Sequence, residues 1–501
     1  MRHDLEFLSI PNVLRVAARR HGAATALVDG ERRISFSELS DLMIRSVRSA
    51  LALGIGPGDR VGLCAPNSAE WILAAVGIQG AGGIVVPLNT RFKAGELAYI
   101  LRKSGAKALY ATPFLGRDYV AELRAHDPEL PALRCTPDLY DRVDERTDTQ
   151  AHASIDRLGP DDVSDIMFTS GTTGHPKGVI LTHGQSLRAY GWMSAQYTFR
   201  ADDRFLVVPP FFHCFGYKAG WLASFLHGVT VIPVQVFDAA GALEVIERER
   251  VSILLGPPTI FHDLLSHPDR PRHDLSSLRV SMTGGTTVPE SLIHAMKKDL
   301  SFDIVLSAYG LTEASALVTS TRPGDTEDTV ARTTGRPIPD VEVRIADGEI
   351  LVRGYTVTRG YWDDPEATAA AIDPDGWLRT GDVGLLDASG NLLIVDRKKE
   401  MFIVGGFNAY PAEIEQLLLA DDRLAQVAVI GVPDTRLGEV GCAYVVPRPG
   451  AELTAEDVIA RAREHMANFK VPRHVRFVEG LPRNASQKVL KHELRARFGE
   501  K

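Results

Sequence analysis

The fold is decided around the stretch Phe168-Thr169-Ser170-Gly171-Thr172-Thr173-Gly174-His175-Pro176-Lys177-Gly178, which follows one apolar run and precedes another. Its glycines let backbone N–H groups approach an anion closely, while its hydroxyl groups and Lys177 add hydrogen-bond donors and positive charge. It is not a Walker A loop, because the lysine is followed by Gly178 rather than by serine or threonine. A flexible linker would not combine closely spaced hydroxyl groups with a lysine between apolar runs. The sequence therefore predicts a loop that holds phosphate groups.

Apolar runs alternate with helical patterns around this loop, which favours an α/β fold with largely parallel sheets. A capping box, Ser35-x-x-Glu38, begins one of the helical patterns. A second helix is predicted over Val179–Tyr190, and the polar stretch Asp138–Ser154 is predicted to be a surface loop. The predicted strands are Arg60–Cys64, Gly83–Pro87, Asp165–Thr169, Phe205–Val208, Val229–Pro233 and Ile253–Leu255.

The pattern changes after about Thr334, where short alternating strands separated by Asp-Gly turns predict a small β subdomain. The charged run Asp396–Glu400 then precedes a last segment with helices and strands of its own. We place a domain boundary at this run. The prediction is a large N-terminal domain of α/β sheets plus the β subdomain over residues 1–396, and a small mobile α+β domain over residues 397–501.

Length, charge and cysteine content limit the class of protein. A chain of 501 residues is too long for one ordinary core. The net charge of −8 gives no basic surface for nucleic acid. Four cysteines without a C-x-x-C pair argue against zinc or a disulfide framework and fit the cytoplasm. The uncharged stretch Trp71–Leu88 contains glycines and Pro87, so we predict a buried helix and strand rather than a membrane span, and no signal peptide is expected at the N-terminus.

Further motifs follow in a defined order along the chain. They are Pro209–Gly216, Thr283-Gly284-Gly285-Thr286, Ser307-Ala308-Tyr309-Gly310-Leu311-Thr312-Glu313, Gly381-Asp382, Asp396-Arg397 and Pro482–Lys488. Together with the phosphate loop, they resemble the adenylate-forming superfamily of acyl-CoA synthetases, luciferases and peptide-synthetase adenylation domains. The resemblance covers nearly the whole chain.

The resemblance implies a role for each matching residue. Tyr309 would stack on adenine, Asp382 and Arg397 would hold the ribose, and Glu313 would bind Mg²⁺. Lys488, Thr312 and His213 would be catalytic, although His213 could instead be a satisfied core histidine. The nucleotide-binding set implied is Thr169, Ser170, Gly171, Thr172, Thr173, Gly174, Lys177, Gly284, Gly285, Thr286, Ser307, Ala308, Tyr309, Gly310, Thr312, Asp382, Ile394, Arg397 and Lys488.

The same resemblance implies an acyl and CoA site and a hinge. The acyl/CoA set is Phe212, His213, Gly216, Gly310, Gly405, Gly406 and Phe407, and the hinge is Lys399. One position departs from the family pattern: Gln487 replaces the usual glycine before Lys488, which takes conformational freedom from that loop. Cys214 is predicted to be a small buried apolar residue rather than a nucleophile.

The implied function is that of an acyl-CoA synthetase of fatty-acid or other lipid metabolism. With ATP and Mg²⁺ it would convert an apolar carboxylic acid to acyl-AMP, and would then transfer the acyl group to the thiol of coenzyme A. An adenylating enzyme that loads a carrier protein or another non-CoA acceptor is the alternative, and a non-catalytic descendant is a third. Phe211–Gly216 contains no acid to pair with an amino-acid ammonium group.

The substrate itself is left open by the sequence. The C-terminal stretches Phe407–Glu413, Gly431–Glu439 and Asn468–Arg473 resemble actinobacterial acyl-CoA ligases, some acting on fatty acids and some on acidic sterol-ring fragments. Those stretches do not shape the acyl pocket, so fatty, aryl and steroid-derived acids all remain candidates. A monomer and a homodimer are equally compatible with the sequence.

Overall fold

The computed structural model describes residues 2–127, 129–130, 134–135, 147–169, 176–284, 288–397, 400–404, 407–483 and 489–499. Helices cover the sheets of the N-terminal part, and a separate small sheet with its own helices follows toward the C-terminus. The predicted α/β fold class is confirmed. The helices of the described ranges are His3–Phe7, Ile10–His21, Phe36–Ala52, Ala69–Gly80, Ala94–Ser104, Tyr119–His126, Asp148–Asp156, His183–Gln196, Cys214–Gly216, Ala223–Phe225, Ala239–Glu249, Pro258–Ser266, Glu290–Asp299, Glu327–Arg332, Pro365–Ala371, Pro411–Leu419, Ala455–His465 and Lys491–Gly499, with a π-helix at Tyr217–Leu222 and 3₁₀-helices at Arg270–Arg272 and Thr312–Ala314.

Two sheets with parallel centres form the N-terminal part, as the alternation of strands and helices predicts. The first, called the large sheet, has the strand order Arg336–Pro337, Thr319–Ser320, Ile304–Tyr309, Val280–Gly284, Ile253–Leu255, Arg204–Val207, Thr230–Pro233, Thr25–Asp29 and Arg32–Ser35. The second, called the loop sheet, has the order Arg134–Cys135, Ala108–Ala111, Arg60–Cys64, Ile84–Pro87, Val163–Thr169 and Lys177–Thr182.

Two further sheets follow. The hairpin sheet is antiparallel and consists of Val341–Ala346, Glu349–Gly354, Leu378–Leu386 and Leu392–Arg397. Its first turn has positive φ at both Asp347 (49°) and Gly348 (78°), the type I′ geometry that the Asp-Gly pair predicts. The C-terminal sheet has the order Phe407–Ala409, Phe402–Val404, Gly438–Pro447 and Leu424–Asp434, with His474–Phe477 parallel to Gly438–Pro447.

The helix Ala69–Gly80 is buried on all sides in the core of the N-terminal part. The Trp71 ring packs against Phe211 and Tyr217 with centroid distances of 5.5 and 5.4 Å. The strand Ile84–Pro87 that follows is buried as well, so the uncharged stretch is a helix and a strand, as predicted. In the ranges that the structure describes, no helix is both long and apolar enough to cross a membrane.

The prediction of a helix over Val179–Tyr190 is wrong in its first turn. Lys177–Thr182 is a strand antiparallel to Val163–Thr169, and the helix begins only at His183. Thr182 caps it, because its Oγ1 accepts a hydrogen bond from the Gln185 N–H (3.3 Å) while its own N–H donates to Gln185 Oε1 (2.9 Å).

The predicted surface loop over Asp138–Ser154 is also wrong where it can be compared. Asp148–Asp156 is a helix whose Ala151 and Ile155 are buried in the main core. It begins with a capping box formed by Thr147 and Gln150. Residues 138–146 lie outside the described ranges.

Candidate active site

The phosphate loop joins two antiparallel strands of the loop sheet. Thr169 ends the first strand, Lys177 begins the second, and the two residues are paired in the ladder. The loop is therefore the connection of a hairpin, and not a strand-to-helix turn as the sequence suggested. The antiparallel ladder fixes both ends of the loop. It therefore places Thr169 and Lys177 side by side, at the same end of the two strands.

Glu313 lies beside this end of the two strands. It belongs to the 3₁₀-helix Thr312–Ala314, which follows the strand Ile304–Tyr309 of the large sheet. Its Oε1 accepts hydrogen bonds from Thr169 Oγ1 (3.4 Å) and from the Tyr361 hydroxyl (3.1 Å). The carboxylate is half-buried, so it retains surface for a further ligand. The large sheet and the loop sheet thus meet at this carboxylate.

Tyr361 is a site residue that the sequence analysis missed. Besides donating to Glu313, it places its ring 5.1 Å from Lys177 Nζ, within cation–π distance. One signal was available in the sequence: Gly360-Tyr361-Trp362 puts two aromatic residues after a glycine, outside any predicted strand or helix.

Asp382 and Tyr309 form a second cluster. The Tyr309 hydroxyl donates to Asp382 Oδ2 at 2.6 Å, and the carboxylate is buried. Asp382 lies on Leu378–Leu386 and pairs across the ladder with Arg397. The residues predicted to contact adenine and ribose are therefore in direct contact with each other, although they come from different sheets.

His213 keeps solvent-exposed surface, while the atoms packed around its ring lower the pKa of its imidazole through desolvation. Its Nδ1 accepts a hydrogen bond from the Phe215 N–H (3.2 Å), so the neutral ring carries its hydrogen on Nε2 and can donate to a carboxylate.

Two of the predicted site glycines have a packing reason to be glycine. A Cβ on Gly310 would lie 2.2 Å from the Ala316 carbonyl carbon, and a Cβ on Gly216 would lie 2.1 Å from the Pro209 oxygen. Backbone segments approach at both positions, which no other residue type would allow. These contacts explain the glycines without any ligand.

The remaining described residues of the predicted set take ordinary positions. Gly284 pairs with Ala308 between neighbouring strands of the large sheet, and Ser307 is buried on the same strand as Ala308. Thr312 and Phe212 are half-buried, whereas Ile394 is 37 % exposed on the hairpin sheet. Cys214 is buried against Met167 and burial raises the pKa of its thiol to about 12, which agrees with an unreactive apolar residue.

Other predicted residues lie outside the part of the chain that the structure describes. They are Ser170, Gly171, Thr172, Thr173, Gly174, Gly285, Thr286, Lys399, Gly405, Gly406 and Lys488, together with the side chains of Arg397 and Phe407. Their roles stay predictions.

A buried ion pair involves the strand that ends at Thr169, and the sequence analysis missed it. Lys218, on the π-helix Tyr217–Leu222, places its Nζ 2.9 Å from Asp165 Oδ1, and both side chains are 0 % exposed. Asp165 belongs to the strand that leads into the loop, and its other oxygen accepts from Ser164 Oγ at 2.5 Å. The signal was a single lysine in an otherwise uncharged stretch from Phe205 to Phe237.

Comparison with known proteins adds to this geometry. The AMP-binding enzyme family matches residues 14–362, and the AMP-binding enzyme C-terminal domain matches residues 413–488. A (7a-methyl-1,5-dioxo-octahydro-1H-inden-4-yl)propanoyl:CoA ligase of Mycobacterium tuberculosis is 51% identical over 99% of both chains. The ligase of the same name from Rhodococcus jostii is 50% identical over 97% of this chain and 98% of its own. ATP-bound MatB from Rhodopseudomonas palustris superposes with a TM-score of 0.86, at 29% identity over 98% of this chain and 99% of MatB.

The chain belongs to the AMP-binding enzyme family. It is an AMP-forming acid–thiol ligase: it activates a carboxylic acid with ATP as acyl-AMP and transfers the acyl group to coenzyme A. The acyl-CoA synthetase class predicted from the sequence is therefore confirmed.

Proposed function

We propose that the acid is the propanoate side chain of a bicyclic, ketone-bearing sterol-ring fragment. The observation that carries this proposal is identity of 50% and 51% over nearly the whole chain to two ligases named for such a propanoyl group. The residues around His213 agree with an apolar substrate, because the half-buried Phe212 and Phe215 lie next to it in the chain. His213 would donate its Nε2 hydrogen to the carboxylate.

A panel of acids tests this substrate proposal. Pyrophosphate release and thioester formation are measured with the indane-dione propanoate, medium- and long-chain fatty acids and aryl acids, with CoA present and omitted. We expect the bicyclic propanoate to give the highest kcat/KM by at least roughly tenfold, equivalent to about 1.4 kcal/mol. A faster fatty or aryl acid would contradict the substrate, whereas pyrophosphate release without thioester would favour a non-CoA acceptor.

We propose that Glu313 holds Mg²⁺ with the phosphates of ATP. A carboxylate flanked by two hydroxyl groups is an all-oxygen donor set, which fits a hard cation. No cluster of three or more Asp, Glu, His or Cys side chains forms a metal site in the described ranges, so the remaining ligands would come from phosphate and water. Bound there, Mg²⁺ would supply positive charge to the phosphates. Lys177 and the loop hydroxyls would orient the same phosphates, while Asp382 would hold the ribose.

Glu313→Gln should slow acyl-AMP formation by roughly 10²–10³, the usual cost of removing one pre-placed charge-stabilising group. The Mg²⁺ concentration needed for half-maximal rate should rise. Thioester formation from synthetic acyl-AMP and CoA should be spared, since that step involves no pyrophosphate. The matched control is Glu342→Gln, which removes an exposed carboxylate paired with Arg353 on the hairpin sheet. An unchanged Mg²⁺ dependence would refute the assignment.

We further propose that a domain boundary at residues 396–397 separates two bodies that rotate about Lys399. The residues on both sides of the Lys488 loop belong to a core formed from residues 402–494. Lys491, just after that loop, forms ion pairs with Glu400 (3.0 Å) and Glu415 (2.8 Å). The residue after the proposed hinge is thereby tied to the chain that carries Lys488, so the two would move together.

Lys399→Pro should impair thioester formation from acyl-AMP while retaining most acyl-AMP formation. Proline fixes φ near −65° and restricts the residue before it, so a pivot that must change φ and ψ would be blocked. The two half-reactions are measured separately, with Lys399→Ala as the control that removes the side chain alone. Unimpaired thioester formation in the proline variant would show that the pivot lies elsewhere.

The reducing cytoplasm is the proposed location. Cys64, Cys214 and Cys442 are buried free thiols. Burial raises the pKa of Cys64 and Cys214 to about 12 and that of Cys442 to about 11, which keeps them protonated. Thiols in this state take no part in disulfide exchange.

A further inference from the structure

The segment 358–362 connects the hairpin sheet to the phosphate site. The Trp362 N–H donates to the Gly178 carbonyl (2.7 Å), and the Ile180 N–H donates to the Gly360 carbonyl (3.1 Å). The segment therefore pairs through its backbone with Lys177–Thr182, the outer strand of the loop sheet, which begins with the loop lysine. An antiparallel bridge between Val179 and Tyr361 completes this contact.

The same segment also holds the turn that carries Glu313. The Thr358 N–H donates to the Glu313 carbonyl at 2.7 Å, and Thr358 Oγ1 donates to the Ile180 carbonyl at 2.7 Å. The Tyr361 N–H donates to Thr368 Oγ1 at 2.9 Å, on the helix Pro365–Ala371. The backbone of Tyr361 is thus fixed from two directions, which sets the point from which its side chain extends.

The Tyr361 side chain then makes two contacts with different parts of the phosphate site. Its hydroxyl donates to Glu313 Oε1, and its ring face lies 5.1 Å from Lys177 Nζ. The ring is half-buried, and the strand pairing places it between the carboxylate and the ammonium group.

We propose that Tyr361 is a positioning residue that sets the carboxylate of Glu313 for Mg²⁺ and the ammonium group of Lys177 for phosphate. The inference rests on the function proposed above for Glu313 and Lys177. A hydrogen bond from the phenol holds Oε1 in one orientation, and the second carboxylate oxygen is then presented at a fixed angle. The ring keeps the flexible lysine chain close to the loop before the nucleotide arrives.

Tyr361→Phe and Tyr361→Leu separate the two contacts. Phenylalanine removes the hydroxyl group but keeps the ring face, whereas leucine removes both. Binding of ATP to the full-length chain is measured by calorimetry in EDTA and across a Mg²⁺ titration. For Tyr361→Phe we expect the Mg²⁺ concentration for half-maximal tightening of ATP binding to rise roughly tenfold, with ATP affinity in EDTA unchanged. For Tyr361→Leu we expect the same rise in the Mg²⁺ concentration and, in addition, a roughly threefold lower affinity for ATP in EDTA.

A second buried tyrosine provides the matched control. Tyr119→Phe removes a hydroxyl group that donates to the Thr90 carbonyl at 2.9 Å, in the core that also contains Phe168 and Trp362, so it controls for a disturbance of the packing next to the site. It should leave both ATP titrations unchanged, so a shift of the same size in this variant would overturn the proposal. The effect of Tyr361→Phe should also shrink in a Glu313→Gln background, because the hydroxyl acts through that carboxylate.

The outcomes distinguish the inference from the function on which it rests. If Tyr361→Phe leaves the Mg²⁺ titration unchanged while Glu313→Gln shifts it, Tyr361 has no positioning role and the Mg²⁺ assignment stands. If Glu313→Gln is without effect as well, the assignment of Mg²⁺ to Glu313 is refuted. Full and equal effects of Tyr361→Phe in both backgrounds would mean that the hydroxyl does not act through Glu313.

Discussion

Replacing Lys218 by methionine is expected to lower the free energy of unfolding by about 3–5 kcal/mol, because it leaves a buried carboxylate without its countercharge. Asp165 and Lys218 are both 0 % exposed and 2.9 Å apart, so bulk solvent does not reach the carboxylate that loses its partner. Methionine matches the length and apolar character of the lysine stem, so a cavity does not add to the effect. The consequence should extend to function, since Asp165 lies on the strand that ends at the phosphate loop.

Chemical denaturation followed by tryptophan fluorescence measures this loss, because Trp71 and Trp221 lie in the same core as the π-helix. The control is the double variant Lys218→Met with Asp165→Asn, which removes both charges and keeps an acceptor for Ser164. It should recover at least half of the lost stability, as replacement of a buried ion pair by neutral groups is often tolerated. A loss below about 1 kcal/mol in the single variant would contradict the prediction.

Lys488→Ala is expected to reduce acyl-AMP formation by roughly 10²–10³, or about 3–4 kcal/mol of transition-state stabilisation. Two anions, a carboxylate and a triphosphate, must meet in this step, and we propose that the lysine neutralises them. Thioester formation from synthetic acyl-AMP should remain largely intact, because the proposed rotation about Lys399 would have carried the lysine away before that step. Pyrophosphate exchange and thioester formation are assayed separately.

Lys298→Ala is the matched control, since this lysine is exposed at the end of the helix Glu290–Asp299. Equal loss of both half-reactions in Lys488→Ala would refute the division of labour between the two steps. A second variant, Gln487→Gly, restores the residue usual in the family. Glycine regains backbone freedom next to the lysine, so we expect its kcat to equal or exceed that of the parent chain.

Most of the fold could be predicted because its signals are local. Arg60–Cys64 and Ile253–Leu255 are strands with the predicted bounds, and Ser35 caps its helix as the capping box indicates. The failures at Val179–Tyr190 and Asp138–Ser154 have one shared cause, which is that a capping box was overlooked in each region. Thr-x-x-Gln boxes at Thr182 and at Thr147 mark where the two helices begin.

The site was harder to predict than the fold, because its decisive contacts join residues that are far apart in the chain. The Asp382–Tyr309 hydrogen bond crosses between two sheets, and Tyr361 reaches Glu313 from a segment with no regular structure of its own. Motif order identified Glu313 and Asp382, since the family pattern carries those positions. The uncharged stretch around Lys218 marked that lysine as unusual but did not point to Asp165 as its partner, because the choice of partner depends on the packed tertiary structure.

The hairpin connection of the phosphate loop has a consequence for engineering. Since Thr169 and Lys177 are paired across a ladder, the residues between them can be exchanged without moving the register of either strand or the start of the next helix. A strand-to-helix loop would transmit every insertion to the helix that follows. This chain therefore offers a loop that can be transplanted as a cassette between ligases of different acids, with the two flanking strands serving as fixed junctions.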